Sequence, residues 1–238
     1  MPPLDGPTPT RAFEAANRYL GWGDPGRGLW FVGLEESDYW SKQDVHKYYH
    51  LHEWEPATTQ RDFAALGRKG ERIRHVTARI MSGVSESAMT RDASDRWRWY
   101  HDHRLWTQGS RGCQANLYPL GKRSLNAWPE DFKELFGFGP ADRDAYLKIV
   151  ADTRFKELRR SWLEHSPQAT ICFGKAGWEE FEEVFEVTSV PRILAGGKVR
   201  VHDHEHVVLT HFFTRGMTNA DADTVSTFLG KDWNVRIP

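Results

Sequence analysis

The sequence predicts an α/β protein built in three layers, αβα, around a central, mainly parallel sheet of four strands. Three observations predict it. Four short runs, Leu29–Leu34 (LWFVGL), Ala115–Tyr118 (ANLY), Ala169–Phe173 (ATICF) and Val207–Thr210 (VVLT), are nearly continuously apolar, as strands buried on both faces are. Helical periodicity fills the stretches between them, and strands alternating with helices close into a parallel sheet with crossover helices. The 238 residues, 39% apolar and 27% charged, suffice for one well-buried core, so a single domain over 1–238 is expected.

In chain order, the Pro-rich start MPPLDGPTPT lacks the basic and apolar regions of a signal peptide. A helix over Arg11–Leu20 precedes the first strand. The segment Tyr39–Arg111 is the least regular part and reads as an insertion at about 39–111, rich in Trp, Arg and His and partly helical. After the second strand, Asp142–His165 fits one long helix with Tyr146, Ile149, Val150, Leu158 and Leu163 on its apolar face. Ala176–Phe185 follows the third strand, with Trp178, Phe181 and Phe185 at helical spacing. Asn219–Leu229 follows the fourth, capped by Thr218 or Asn219.

Composition narrows the function classes. No apolar run approaches the roughly 20 residues of a membrane span, so no membrane partner is expected. Two cysteines, Cys113 and Cys172, exclude a disulfide framework and a four-cysteine zinc or iron–sulfur site, and suit a reducing cytoplasm. Net charge is -1, yet Gly67–Gly112 carries ten Lys and Arg against five Asp and Glu. Such a stripe can hold phosphates, although a solvated helix face has the same composition.

In open parallel sheets ligands bind beyond the carboxyl ends of the strands. Those ends are Gly33–Tyr39, Asn116–Pro119, Gly174–Gly177 and His211–Asn219. At the first, Gly33 permits a close backbone approach, and the adjacent carboxylates of Glu35 and Glu36 would raise one another's pKa, which suits a general base. An exposed acidic turn is the plainer alternative. At the last, His211 can donate a hydrogen bond to a developing oxyanion, and Arg215 follows in a loop loosened by Gly216. A structural His is the alternative there. A rival constellation is His202-x-His204-x-His206, three imidazoles on one strand face, which with Asp203 and Glu205 would suit zinc or manganese in a phosphoesterase or nuclease. His50-x-His52 and His101-x-His103 add pairs. The surrounding GGKVRVHDHEH equally reads as a polar hairpin, and no metal is expected.

The stretch GLEES resembles the first signature of uracil-DNA glycosylases, which takes forms such as Gly-Gln-Asp-Pro-Tyr or Gly-Met-Asn-Pro-Gly. HFFTR resembles their second, His-Pro-Ser-Pro followed by Leu or Arg. ATICFGKAGWEEF is similar to the strand, Gly-Lys turn and helix between them, and QANLYPL to the middle strand carrying the base-reading Asn. All four stand in family order over roughly residues 29–230. Glu36 and Phe212 replace the signature prolines, and Phe213 replaces the serine.

The resemblance implies a DNA glycosylase that hydrolyses the N-glycosidic bond of a flipped pyrimidine and leaves an abasic site. It would serve base-excision repair or defence against modified phage DNA. It implies DNA as partner, a monomer, and no cofactor. Glu35 would polarise the attacking water or stabilise the cationic sugar, with Glu36 in reserve. His211 would support negative charge on the departing base. Asn116 would read the pyrimidine edge, with Phe31, Tyr39 and Tyr118 as stacking partners. Arg215 would fill the gap left by the flipped nucleotide, with Met217 and Lys175 as further DNA contacts. Ser37 stands where strict uracil enzymes hold Tyr, and its small size implies room for a C5 substituent. No lysine stands at the water-activating position, which implies hydrolysis without strand cleavage. A non-catalytic DNA-binding module on the same fold is the alternative.

Overall fold

The computed structural model describes residues 8–35, 52–55, 71–107, 109–122 and 127–238. In chain order its elements are α1 (Pro9–Arg18), β1 (Gly21–Gly23), β2 (Leu29–Gly33), β3 (Trp54–Glu55), α2 (Glu71–Ser82), α3 (Glu86–Met89), α4 (Arg96–His103), β4 (Gly112–Asn116), α5 (Phe132–Phe136), α6 (Arg143–Val150), α7 (Lys156–His165), β5 (Ala169–Phe173), α8 (Trp178–Val184), β6 (Arg192–Leu194), β7 (Val199–His202), β8 (Val207–Thr210) and α9 (Asn219–Lys231).

The apolar runs pair with one another. β4, β2, β5 and β8 lie side by side, all parallel, and form the middle of the sheet. The sheet is larger than the predicted four strands. Among the described residues it has eight, in the order β3-β1-β4-β2-β5-β8-β7-β6, with β1 antiparallel to β4, and β7 antiparallel to both β8 and β6. The added strands lie outside the parallel core, where a strand need not be apolar on both faces. That is why the Gly-Trp-Gly of β1 and the polar sequence of β6 and β7 do not announce themselves. β4 also begins three residues earlier than its apolar run, at Gly112, where a Cβ would stand 2.2 Å from Met81 Cε.

Side chains alternate across the sheet and separate two cores. Trp30 and Val32 of β2 join Phe13 of α1, Phe132 of α5, Tyr146 of α6, Leu158 of α7 and Phe181 of α8 on one face. Leu29 and Phe31 join Val76 and Ile80 of α2, Tyr100 of α4 and Val225 and Leu229 of α9 on the other. Each fully buried aliphatic or aromatic side chain contributes about 1.5–3 kcal/mol relative to exposure. Helices therefore cover both faces, and part of the segment 39–111, together with α9, supplies one of the two layers. Among the described residues no helix is long and apolar enough to cross a membrane. α9 starts as its sequence suggests: the Thr218 side chain accepts from Asp221 N while the Asp221 side chain accepts from Thr218 N.

The helix predicted over 142–165 is interrupted. α6 and α7 are joined by a π-helical turn, Ala151–Phe155. The wider turn shifts the buried stripe, so Tyr146 and Val150 are followed inward by Arg154, Phe155 and Leu158. Ile149 and Leu163, predicted on the apolar face, are exposed. Arg154 is buried, and its guanidinium donates to the carbonyls of Ala16, Asn17, Tyr19 and Leu20 behind α1 and of Asn116 and Leu117 at the exit of β4.

Candidate active site

The ends of the four parallel strands form one transverse row. Asn116 is in register with Gly33, Gly33 with Phe173, and Phe173 with Thr210. At about 4.8 Å per strand the row is roughly 14 Å long. From β2 the chain first goes to β4 on one side and then returns to β5 on the other, so β2 and β5 flank the topological switch point where ligands bind in such sheets. Gly33 lies at that point. A Cβ built on it would stand 2.8 Å from Asn116 Oδ1 and 2.8 Å from Phe173 Cζ, so the amide and the ring close over its bare Cα. The Phe173 ring stacks on Phe213, with centroids 4.5 Å apart and 18° between planes. Phe173 was not anticipated as a site residue. Its signal was positional, as the last residue of the third apolar run.

Beyond the row the β2–β4 ladder continues through Leu117 N to Gly33 O (2.8 Å) and Tyr118 N to Leu34 O (2.7 Å). This brings Glu35 against the loop leaving β4. Lys122 Nζ approaches Glu35 Oε2 to 3.1 Å, with side chains only 2% and 7% exposed respectively. The same amino group lies 4.9 Å from the ring centre of Trp128 and 5.9 Å from that of Tyr146. Burial pushes the Glu35 carboxyl above its usual pKa, while the charge and hydrogen bonding of Lys122 pull it back. Nothing in the sequence pointed to this partner, which comes from the loop of the neighbouring strand. Tyr118 stands alongside, its hydroxyl 3.4 Å from Glu180 Oε1. Burial and then Glu180 raise the phenol's pKa, so it stays protonated.

On the far side of the row His211 follows β8. Its backbone N donates to Lys198 O (3.0 Å), and its ring lies 5.7 Å from that of Trp178. A Cβ on Gly216 would sit 2.5 Å from His211 Cβ, so a glycine is what lets the loop fold back over the imidazole. Burial first, then Lys175 and Lys198, hold the His211 pKa below its usual value, against Asp221. The imidazole is therefore neutral at neutral pH, with one N–H to donate.

Cations surround this end of the sheet. Lys175 and Arg215 are exposed. Arg72, Lys198, Arg215 and Asn219 line a shallow groove of about 590 Å³. Arg72 donates to Asn219 Oδ1 (2.7 Å) and to Met217 O (3.0 Å), which anchors the basic segment to the His211 loop. Two predicted contacts need correction. The Met217 side chain is buried in the second core, so only its backbone faces Arg72. Phe31 is fully buried between Trp106 and Phe213, one alternation below the rim, and does not reach the row. Glu36, Ser37 and Tyr39 lie outside the described residues.

The histidine-rich segment does not form the predicted face. β7 ends at His202, and 203–206 make the turn of a β7–β8 hairpin. His202 is buried with Nδ1 on Ser189 O (2.9 Å), His204 is exposed, and His206 stacks on Trp233 at 4.6 Å. Glu205, counted with them, accepts instead from Thr188 N and Ser189 N. His101 and His103 lie on helix α4, where residues two apart point in different directions. Among the described residues no group of three or more His, Cys, Asp or Glu is arranged to hold a metal ion. His50 lies outside them. The chain matches no protein-family model and no curated protein.

Proposed function

We propose that this chain is a DNA glycosylase, which turns a nucleotide out of the stack and hydrolyses its N-glycosidic bond. The observation that carries the reading is the row of strand ends. It offers an amide and an aromatic ring over the bare Cα of Gly33 at the switch point, a carboxylate just beyond on one side, and a neutral imidazole on the other. The resemblance of GLEES, QANLYPL and HFFTR to the uracil-DNA glycosylase signatures supports it from sequence. β2 and β8 are two strand spacings apart, about 10 Å, a separation that suits groups acting on opposite ends of a nucleoside.

Unstacking the base costs a few kcal/mol. Arg215 fills the gap, and Lys175 and the Arg72 side of the groove hold phosphates. Asn116 reads the base edge, and Phe173, itself buried against Phe213, backs the floor of the site behind Gly33. The bond from C1′ to the base breaks with its electron pair leaving on the base, where the neutral His211 N–H donates to the oxygen that gains charge. Water adds to C1′ from the opposite side, and its proton passes to the Glu35 carboxylate. The products are the free base and an abasic site, with the strand intact. By the resemblance alone, the small Ser37 would tolerate a C5-modified pyrimidine.

The test is abasic-site formation on oligonucleotides carrying uracil, mismatched thymine, hydroxymethylated or glucosylated cytosine, or hypoxanthine, with EDTA present. Alkali-labile breaks on one of them, reduced roughly 100- to 1000-fold in His211→Ala and lost in Glu35→Gln, are expected. A second reading, a DNA-binding module without catalysis, is favoured by one observation: Glu35 is already engaged by Lys122. Intact DNA binding with no product on any substrate would decide for it.

A further inference from the structure

The loop leaving β4 is buried from Leu117 through Lys122. Its last residue brings an amino group into a site walled by aromatic rings, where a positive charge loses its water. Desolvating a carboxylate and an amine together usually costs more than their attraction returns, and an apolar pair of the same volume would serve stability as well. The pair stands immediately beyond the row of strand ends, two residues past Gly33.

We propose that Lys122 is a positioning residue of this site: seated over Trp128 and Tyr146, it fixes the Glu35 carboxylate at the rim of the sheet and sets a positive charge against it. The inference rests on the glycosylase reading for its catalytic meaning, though not for its geometry. Four ionisable groups face one another here: Glu35, Lys122, Tyr118 and Tyr146. Lys122 opposes the burial of Glu35, while Tyr118 and Tyr146 remain neutral phenols. Farther out, Glu180 and Arg143 act on Tyr118, and Arg154 acts on Tyr146. Lys122 is thus the group that draws Glu35 toward its charged form. A charged carboxylate can accept a proton from water, and an apolar side chain in place of Lys122 would shift Glu35 toward its protonated form, which cannot.

The experiment uses the full chain with ¹³C-labelled glutamate, the Glu35 signal being assigned by its loss in Glu35→Gln. In Lys122→Met, the Glu35 pKa is expected to rise by about 1–3 pH units. The acid limb of the rate of base release should move up with it, about tenfold in rate per unit at a fixed pH on that limb, with the alkaline plateau kept. Lys122→Arg, which keeps the charge, should leave both near the wild-type position. An unmoved Glu35 pKa in a folded Lys122→Met overturns the proposal. So does a Lys122→Arg profile displaced as far as that of Lys122→Met, and this comparison stands if Met is not tolerated and Lys122→Gln takes its place. If the wild type releases no base from any substrate, the glycosylase reading fails, and the titration still decides whether Lys122 governs Glu35.

Discussion

Gly33 and Asn116 are in register on neighbouring strands, and the Asn116 amide oxygen stands 2.8 Å from where a Gly33 Cβ would be. The backbone at Gly33 is not among the positive-φ positions, so what demands glycine is space. Gly33→Ala is expected to force both Asn116 and Phe173 aside, to cost about 1–3 kcal/mol in urea unfolding, and to lower base release more than stability. A variant as stable and as active as the wild type would mean that the amide and ring are not held where they stand.

A different edge of the sheet should govern acid stability. Burial pushes the Glu205 carboxyl up, but hydrogen bonds from the Ser189 hydroxyl and from backbone N–H groups of Thr188 and Ser189 overcome it and hold the pKa down at about 2. A carboxyl lowered on folding stabilises the native state above its unfolded pKa and loses that contribution as pH falls toward the folded one. Glu205→Gln is expected to cost roughly 1–3 kcal/mol at neutral pH. The difference from wild type should vanish near pH 2 in the same urea titration.

Arg215 and Arg79 differ in engagement, which separates DNA contact from structure. Arg79 pairs with Asp223 across α2 and α9, whereas the Arg215 side chain is exposed beside the groove. Arg215→Ala is expected to weaken DNA binding and to reduce the slope of log affinity against log salt by about one. Arg79→Ala should leave the slope unchanged. Equal slopes for wild type and Arg215→Ala would remove Arg215 from the DNA surface.

The cations around His211 should be visible in its titration. Lys198 repels a protonated imidazole and is itself tied to Asp221 at 2.8 Å. In Lys198→Met the repulsion goes and Asp221 remains, so the His211 pKa is expected to rise toward its usual value in an NMR titration. An unchanged pKa would mean that Lys198 has no part in setting it.

How much of this was legible follows from what each residue needed. The four parallel strands announced themselves because a strand buried on both faces must be apolar throughout. Gly33, Glu35, Asn116 and His211 followed from the rule that ligands meet strands at their carboxyl ends, without any knowledge of pairing. β1 and β6 were hidden because a strand outside the core can be short and polar. Phe31 reads as a stacking partner because only the register tells that it lies two residues, about 6.6 Å, below the strand end. Lys122 could not be found by spacing at all, since its meaning depends on a loop from the neighbouring strand. Arg154 read as one more polar residue on a helix until the π-turn rotated it inward.

That arginine has a kinetic consequence. Its guanidinium joins carbonyls 134 to 138 residues away near α1 to others 37 or 38 residues away at β4. Contacts that span so much chain return nothing until the intervening loops have closed, so they belong to the last steps of folding. A side chain that acts after the barrier is crossed governs the rate of escape from the native state rather than the rate of arrival. Arg154→Met is therefore expected to unfold much faster while refolding at nearly the wild-type rate, so that the lifetime of the assembled strand rim is set at its buried end, away from the groove where DNA would lie.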